Sequence, residues 1–273
     1  MRVTVIANDR AHGVRGALPA VADALAAVGA QAILPPDGMD FLSEEIDAYI
    51  ADGDVVVAIG GDGTIIHTAK RAAAYDKAVL GINGGRLGFM AGLECNELDR
   101  LKSLLDGEYE IEKRMMLDVS VVRNGQTIAQ RTALNEAVVS SGSVARLIDV
   151  DLTVDNDVID YRADGVIIST PTGSTAYSMS AGGPIIDPAV RCLTVTPICS
   201  HSLTARPMLA KEDAEIVLRL SKTSRTSAYL TVDGQKCVEV DFDTLVTVKK
   251  SPFDAKLINV SNNTIYKTLS HKF

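Results

Sequence analysis

Residues 60–64 read Gly-Gly-Asp-Gly-Thr and follow directly on the apolar run Val55-Val56-Val57-Ala58-Ile59. A buried strand is therefore expected to end in a loop of glycines around one carboxylate, with a hydroxyl residue starting a helix. Glycine has no Cβ, so it can adopt positive φ and let a ligand touch the main chain. Amides at a helix start attract anions, phosphate above all. A carboxylate in that position repels phosphate, so its use is to hold a cation or a hydroxyl proton. These are the requirements of phosphoryl transfer to an alcohol. With Gly at about 7% of residues, the pentapeptide arises by chance on the order of 10⁻⁶ per position. Turn chemistry raises that chance, but a solvated turn leaves the flanking strand and helix unexplained.

Three further constellations carry chemistry. Asn83-Gly84-Gly85-Arg86-Leu87-Gly88-Phe89 is a second glycine loop after an apolar run. It reads alone as a tight turn, and beside the first loop as the other wall of a phosphate cleft. Asn135-Glu136 is a polar pair between β-rich apolar runs. It is either a surface step or a nucleotide contact, since Asn can pair with an adenine edge and Glu can accept from ribose hydroxyls. Residues 169–184 begin Ser-Thr-Pro-Thr-Gly-Ser-Thr-Ala-Tyr-Ser-Met-Ser. That stretch is too polar for a core strand, and its central Tyr177 is foreign to a flexible linker. A hydrogen-bonding nucleotide loop with one aromatic wall accounts for both.

The elements that must position these residues divide the chain in two. Up to about residue 110, strand and helix patterns alternate. Strands are expected at 3–7, 31–34, 54–59 and 78–82, and helices at 18–28, 64–75 and after Asn96. Such alternation builds a parallel sheet with helices on both faces, and ligands bind beyond the carboxyl ends of its strands. From 111 to 252 the texture is β-rich. Asn124-Gly125 marks a hairpin, and strands are expected at 117–122, 127–133, 148–154, 158–161, 165–169, 216–220, 229–232, 237–240 and 245–248. Pro252 marks a return, after which 256–260 reads as one more strand. The expected fold class is thus α/β plus all-β. An α/β domain spans 1–110 and is rejoined by 253–273, and a β-sandwich-like domain spans 111–252.

Composition narrows the partners. The chain has 273 residues, a net charge of −8 and a pI near 5.0. No Lys/Arg cluster tracks a nucleic-acid backbone, and an acidic protein makes poor contact with an anionic membrane. No stretch approaches the roughly 18 apolar residues of a membrane span, and no signal peptide is visible. Cys95, Cys192, Cys199 and Cys237 are scattered, without metal-ligand spacing. They read as reduced thiols in a cytoplasmic protein, and no residue is assigned as a metal ligand. A small phosphorylated ligand whose charge is neutralised locally is the expected partner.

In their order, Gly-Gly-Asp-Gly-Thr, Asn-Gly-Gly-x-Leu-Gly-Phe, Asn135-Glu136, the step Arg162-Ala163-Asp164-Gly165 and Thr-Pro-Thr-Gly-Ser-Thr-Ala-Tyr-Ser resemble the NAD kinases. The resemblance runs from about residue 54 to 235. It implies an N-terminal α/β domain and a C-terminal β domain with the active site between them. The implied reaction is ATP, or inorganic polyphosphate, plus NAD giving NADP, with a divalent cation, Mg²⁺ first. A homodimer or homotetramer is also implied. By match, Asp62 becomes the proton acceptor for the adenosine-ribose 2′-hydroxyl. Gly60, Gly61, Gly63 and Thr64 become phosphate contacts supported by Asn83. The implied NAD contacts are Asp62, Gly63, Asn135, Glu136, Arg162, Asp164, Thr175, Ala176, Tyr177, Ser178, Met179, Ser180 and Gln235, with Tyr177 against the adenine. Two further candidates rest on position alone: His67, one helical turn beyond Thr64, faces either the cleft or solvent, and Arg146, in a polar segment, is either a ligand contact or a solvated loop residue. Arg at the position of Arg162 goes with preference for NAD over NADH. Asp233-Gly234-Gln235 matches a family loop but is first of all a hairpin turn. A lipid or sugar kinase sharing the glycine loop, and a non-catalytic NAD(P)-binding sensor, are the alternatives. The acidic balance, the Thr-Gly-Ser-Thr-Ala-Tyr loop and the intact Asp62 speak against them in turn.

Overall fold

The computed structural model of the chain describes residues 1–8, 14, 16–36, 38–84, 88–142, 147–222, 224, 227–260 and 264–272, the last two by backbone alone. The chain forms two compact units, Met1–Arg114 with Phe253–Phe273, and Met115–Pro252.

In the first unit strand and helix alternate: β1 (Arg2–Ala7), α1 (Ala17–Ala27), β2 (Gln31–Ile33), α2 (Ile46–Asp52), β3 (Val55–Gly60), α3 (Asp62–Ala73) and β4 (Ala78–Asn83). The two-residue β5 (Leu93–Glu94), a 3-10 turn at Leu98–Leu101 and α4 (Lys102–Asp106) follow. The strands lie parallel in the order β2, β1, β3, β4, with β5 beside β4. Every residue of β3 and β4 is buried, as the two-sided cover of a parallel sheet requires. Alternate residues Val55, Val57, Ile59, Leu80 and Ile82 pack with Val21 and Leu25 of α1 and with Leu101 and Leu104. Helix α3 buries Ile65, Ala69 and Ala72 against β3 and β4, beside α2. The spacing predicted α3 from Thr64; it starts at Asp62, because Gly61 (φ −85°, ψ 179°) is already the extended cap. Helix α2 was not foreseen, its seven residues being too few to show a period.

The remaining strands are β6 (Glu110–Arg123), β7 (Gln126–Ala133), β8 (Glu136–Ser141), β9 (Ile148–Val154), β10 (Asp157–Ala163), β11 (Gly165–Ser169), β12 (Cys192–Ile198), β13 (Met208–Lys211), β14 (Ile216–Leu220), β15 (Ala228–Val232), β16 (Gln235–Val240) and β17 (Thr244–Asn259). Between β11 and β12 lie a 3-10 turn at Thr172–Thr175 and the one-turn α5 (Tyr177–Ser180), and α6 (Ile265–Lys272) closes the described chain. In the second unit one antiparallel sheet runs β13, β12, β11, β8, β15, β16. A second contains β10, β9, β14 and the first part of β17, with the β6–β7 hairpin paired to β17. Inward residues of both sheets share one core, among them Val119, Val139, Val150, Ile168, Val195, Leu218, Leu230 and Val246. That interleaving makes the unit a β-sandwich. Asn124 (φ 51°) and Gly125 (φ 77°) form the β6–β7 turn, the two left-handed residues such a turn demands.

Pro252 does not break a strand. β17 is continuous for 16 residues, with β14 opposite Leu245–Val248 and β4 beside Lys256 and Leu257. Pro252 falls between those two pairings.

Candidate active site

At the carboxyl end of β3, Gly60 lies opposite Asn83 of β4, and the Gly84 amide donates to the Gly60 carbonyl (3.3 Å). The two glycine loops are therefore neighbours. Their glycines serve different ends. A Cβ at Gly60 would press on Thr64 Oγ1, whereas at Gly61 and Gly63 it would meet nothing within 4 Å. Gly60 is thus required by internal packing, while Gly61 and Gly63 leave exposed backbone bare. None of the three takes positive φ, so of the two uses of glycine, freedom from side chains rather than left-handed conformation is what they supply. Thr64 is buried, and its Oγ1 accepts from Asn8 Nδ2 (3.4 Å).

Asp62 is half-buried in the first turn of α3. Its Oδ2 accepts from the Phe89 amide (3.0 Å) and its Oδ1 from the Met90 amide (3.2 Å). A Cβ at Gly88 would overlap the carboxylate. The second loop therefore orients the acid of the first. Asn83 is 3% exposed, and its Nδ2 donates to Glu94 Oε1 (3.1 Å) and Oε2 (2.9 Å). The Cys95 thiol donates to the Asn83 carbonyl (3.1 Å). Burial, and next the neighbouring Glu94 charge, push that thiol above its ordinary pKa. Glu94 was missed in the sequence, having no motif around it. His67 packs edge-on against Phe41, ring centroids 5.6 Å apart. Gly85, Arg86 and Leu87, like Arg146, lie outside the described residues.

In the β unit, Glu136, Ser169 and Thr194 occupy one cross-strand row of β8, β11 and β12, all buried. Asn135 precedes that row. The Asp233 carboxylate accepts from the amides of Leu134 (2.9 Å), Asn135 (2.8 Å) and Glu136 (3.1 Å). Asp233 (φ 46°) and Gly234 (φ 74°) are the tight turn between β15 and β16, and Gln235 opens β16 exposed. The hairpin reading of Asp-Gly therefore holds.

The hydroxyl-rich loop sorts into two sets. Thr170, Thr172, Ser174 and Ser178 are buried. Thr170 Oγ1 donates to the Leu134 carbonyl (2.6 Å), Ser174 bonds the Ile186 backbone, and Ser178 pairs with Thr196 (3.0 Å). Thr175, Ala176 and Met179 are half-buried, and Tyr177 and Ser180 are exposed. Ser178, an expected NAD contact, is 0% exposed and its hydroxyl is committed inward. Arg162 is exposed, with its Nε 3.8 Å from Asp149 across the β9–β10 pair. Asp164 is half-buried beyond β10, its amide donating to Ile198 (2.9 Å).

A carboxylate oriented by amides, beside bare glycine backbone at the end of a parallel strand, is the equipment of a phosphotransferase. Residues 17–109 match the model of the ATP-NAD kinase N-terminal domain, and residues 134–260 that of the ATP-NAD kinase C-terminal domain. The chain is 42% identical over 221 residues to an NAD kinase of Symbiobacterium thermophilum, covering 80% of this chain and 78% of the relative. It is also 42% identical over 230 residues to an NAD kinase of Carboxydothermus hydrogenoformans, covering 84% and 82%. Among solved structures it is similar to an NAD kinase from Archaeoglobus fulgidus in complex with ATP, with TM-score 0.77, 28% identity and 99% of each chain covered. It shares its fold with yeast NADH kinase complexed with NADH, with TM-score 0.86, 24% identity, and 99% and 86% covered. The chain belongs to the NAD kinase family. The lipid-kinase, sugar-kinase and sensor alternatives gain no support from these relatives.

Proposed function

We propose that the chain transfers the terminal phosphoryl of ATP, or of inorganic polyphosphate, to the 2′-hydroxyl of the adenosine ribose of NAD, giving NADP. The observation that carries this reading is the Asp62 carboxylate, oriented by the Phe89 and Met90 amides beside the bare backbone of Gly61 and Gly63. In this reading Asp62 aligns the 2′-hydroxyl and takes its proton as the oxygen attacks phosphorus. The amides of the Gly60–Gly63 loop hold phosphate oxygens, and Thr64 and Asn83 keep that loop in shape. Asn135, Glu136, Thr175, Ala176, Tyr177, Met179 and Ser180 contact NAD, with Tyr177 against the adenine. Arg162 and Asp164 serve the nicotinamide half, and Arg162 favours NAD over NADH. Phosphoryl transfer needs alignment and charge neutralisation more than covalent chemistry; the fixed carboxylate would supply the alignment, and the loop amides would help to neutralise the phosphate charge.

A divalent cation, Mg²⁺ in the first place, belongs to this proposal. Among the described residues no group of three or more His, Cys, Asp or Glu is placed to hold an ion. That donor chemistry fits a cation carried chiefly on the phosphates of the donor, as Mg²⁺ ordinarily is, with the half-buried Asp62 carboxylate as the residue able to help. The cation would neutralise charge on the transferred group. Cytoplasmic location and a homodimeric or homotetrameric state are part of the same proposal, and family membership supports them. No helix among the described residues is long and apolar enough to cross a membrane.

The test is direct. Purified protein is incubated with NAD, ATP and Mg²⁺, and NADP is measured with an NADP-specific dehydrogenase. The parent chain should produce NADP, and Asp62→Asn should lose about 10²–10⁴-fold in kcat while still binding NAD. NAD binding without any turnover in the parent would overturn the proposal.

A further inference from the structure

The backbone of Leu134-Asn135-Glu136 is held by two residues distant in sequence. Asp233 accepts from all three amides and donates its own amide to the Glu136 carbonyl (3.0 Å). Thr170 donates its hydroxyl to the Leu134 carbonyl (2.6 Å) and its amide to the Asn135 carbonyl (2.9 Å). Every backbone amide and carbonyl of the tripeptide thereby has a partner, so Asn135 meets a ligand chiefly through its side chain. The same Thr170 Oγ1 accepts from the Gly173 amide (3.0 Å), and a Cβ at Gly173 would overlap the Asn135 carbonyl. The turn that leads to Thr175 and Tyr177 is therefore seated on the Asn135 peptide.

We infer that Asp233 and Thr170 are positioning residues for nucleotide binding: they fix the Asn135 side chain and register it against the Thr175–Tyr177 turn. The inference rests on the NAD-kinase reading, in which Asn135 and that turn contact NAD. A carboxylate suits the task because its two oxygens offer several acceptor sites, enough for three converging amides. Asparagine at 233 keeps one acceptor oxygen and loses the charge, so the tripeptide gains freedom that the ligand must then remove. Residue 233 lies in a turn with φ 46°, a conformation asparagine also accepts, which spares the hairpin itself. Thr170→Ser keeps the hydroxyl, and Thr170→Val removes it at nearly constant size.

The experiment measures KM for NAD, KM for ATP, kcat and the NAD Kd by calorimetry. It uses the full chain and the variants Asp233→Asn, Thr170→Val, Thr170→Ser, Asn135→Ala and the double variant Asp233→Asn/Asn135→Ala, each checked by thermal unfolding. Asp233→Asn and Thr170→Val should raise Kd and KM for NAD about tenfold, with kcat and KM for ATP within about twofold. Thr170→Ser should restore parental values. In the Asn135→Ala background, Asp233→Asn should add less than about a twofold further loss, because it acts through a side chain already gone. Additive losses, equal losses for ATP, or no rescue by serine would overturn the inference while NADP formation by the parent still stands. A parent that binds no NAD would overturn both.

Discussion

Gly88 makes room for Asp62. A side chain at position 88 would occupy the space of the Asp62 carboxylate, which the next two residues hold by their amides. Gly88→Ala is therefore a substitution of the second loop that acts on the acid of the first. We expect kcat to fall by about 10²-fold, the usual consequence of a 1 Å misplacement, while thermal unfolding changes little. Steady-state kinetics beside a melting curve checks this.

The neighbouring glycines should part company. Gly60→Ala drives a methyl into Thr64, and overpacking of this kind costs about 1–3 kcal/mol. Gly61→Ala meets open space and should fold with stability within about 0.5 kcal/mol of the parent. It should nevertheless raise KM for the phosphate donor, because the methyl stands where the ligand needs bare backbone. Urea unfolding and donor kinetics on the two variants separate a packing glycine from a contact glycine.

Tyr177 and Ser178 are adjacent and opposite in role. Tyr177 is exposed and Ser178 fully buried on Thr196. Tyr177→Ala should weaken NAD binding by about 1–2 kcal/mol, the scale of base–aromatic stacking, with an unchanged melting temperature. Ser178→Val strands the Thr196 hydroxyl and should lower the melting temperature instead. Calorimetric titration and thermal unfolding read the two effects apart.

Arg162 gains little from Asp149. The pair is 3.8 Å apart and the Arg side chain is 63% exposed, the regime where an ion pair contributes about 0–1 kcal/mol. Arg162→Ala should leave stability nearly unchanged. If Arg162 serves the nicotinamide half, the same variant should narrow the ratio of kcat/KM for NAD over NADH, and parallel assays with both cofactors would show it.

Acid should unfold the β unit in part through Asp241. The Thr244 hydroxyl donates to its carboxylate (2.6 Å), and Arg123 stands 3.2 Å away. The hydrogen bond first, then the Arg123 charge, hold Asp241 below its ordinary value, against an opposing effect of burial. A depressed carboxylate stabilises fully above the unfolded value of 3.8, and that contribution drains as pH falls through the lower folded value. Urea midpoints measured from pH 6 to pH 3 should therefore fall more steeply in the parent than in Thr244→Val. The variant should start about 1 kcal/mol less stable at pH 6.

The sequence made the fold class legible because its signals are local. Uninterrupted apolar runs at β3 and β4 announce buried parallel strands, and Asn124-Gly125 announces a hairpin. Signals that depend on distant partners were silent. Nothing near Glu94 shows that its carboxylate receives the Asn83 amide, and nothing in Asp233-Gly234 shows three amides of residues 134–136 converging on it. The hydroxyl-rich stretch gave the right chemistry at the wrong resolution. Composition marks it as hydrogen-bonding, but only burial separates Thr170, Ser174 and Ser178, spent on the protein, from Thr175 and Ser180. Pro252 does stand where the chain leaves the second unit for the first, but the two strands read on either side of it are one, since β17 passes through it.

The Cys95 thiol grips the main chain of Asn83 at the root of the second glycine loop, and its surroundings favour the protonated form. Since only the thiolate attacks electrophiles or peroxides with any speed, this sulfur is a sluggish target for oxidants. Thiol-alkylating reagents should accordingly label Cys95 slowly while the protein is folded.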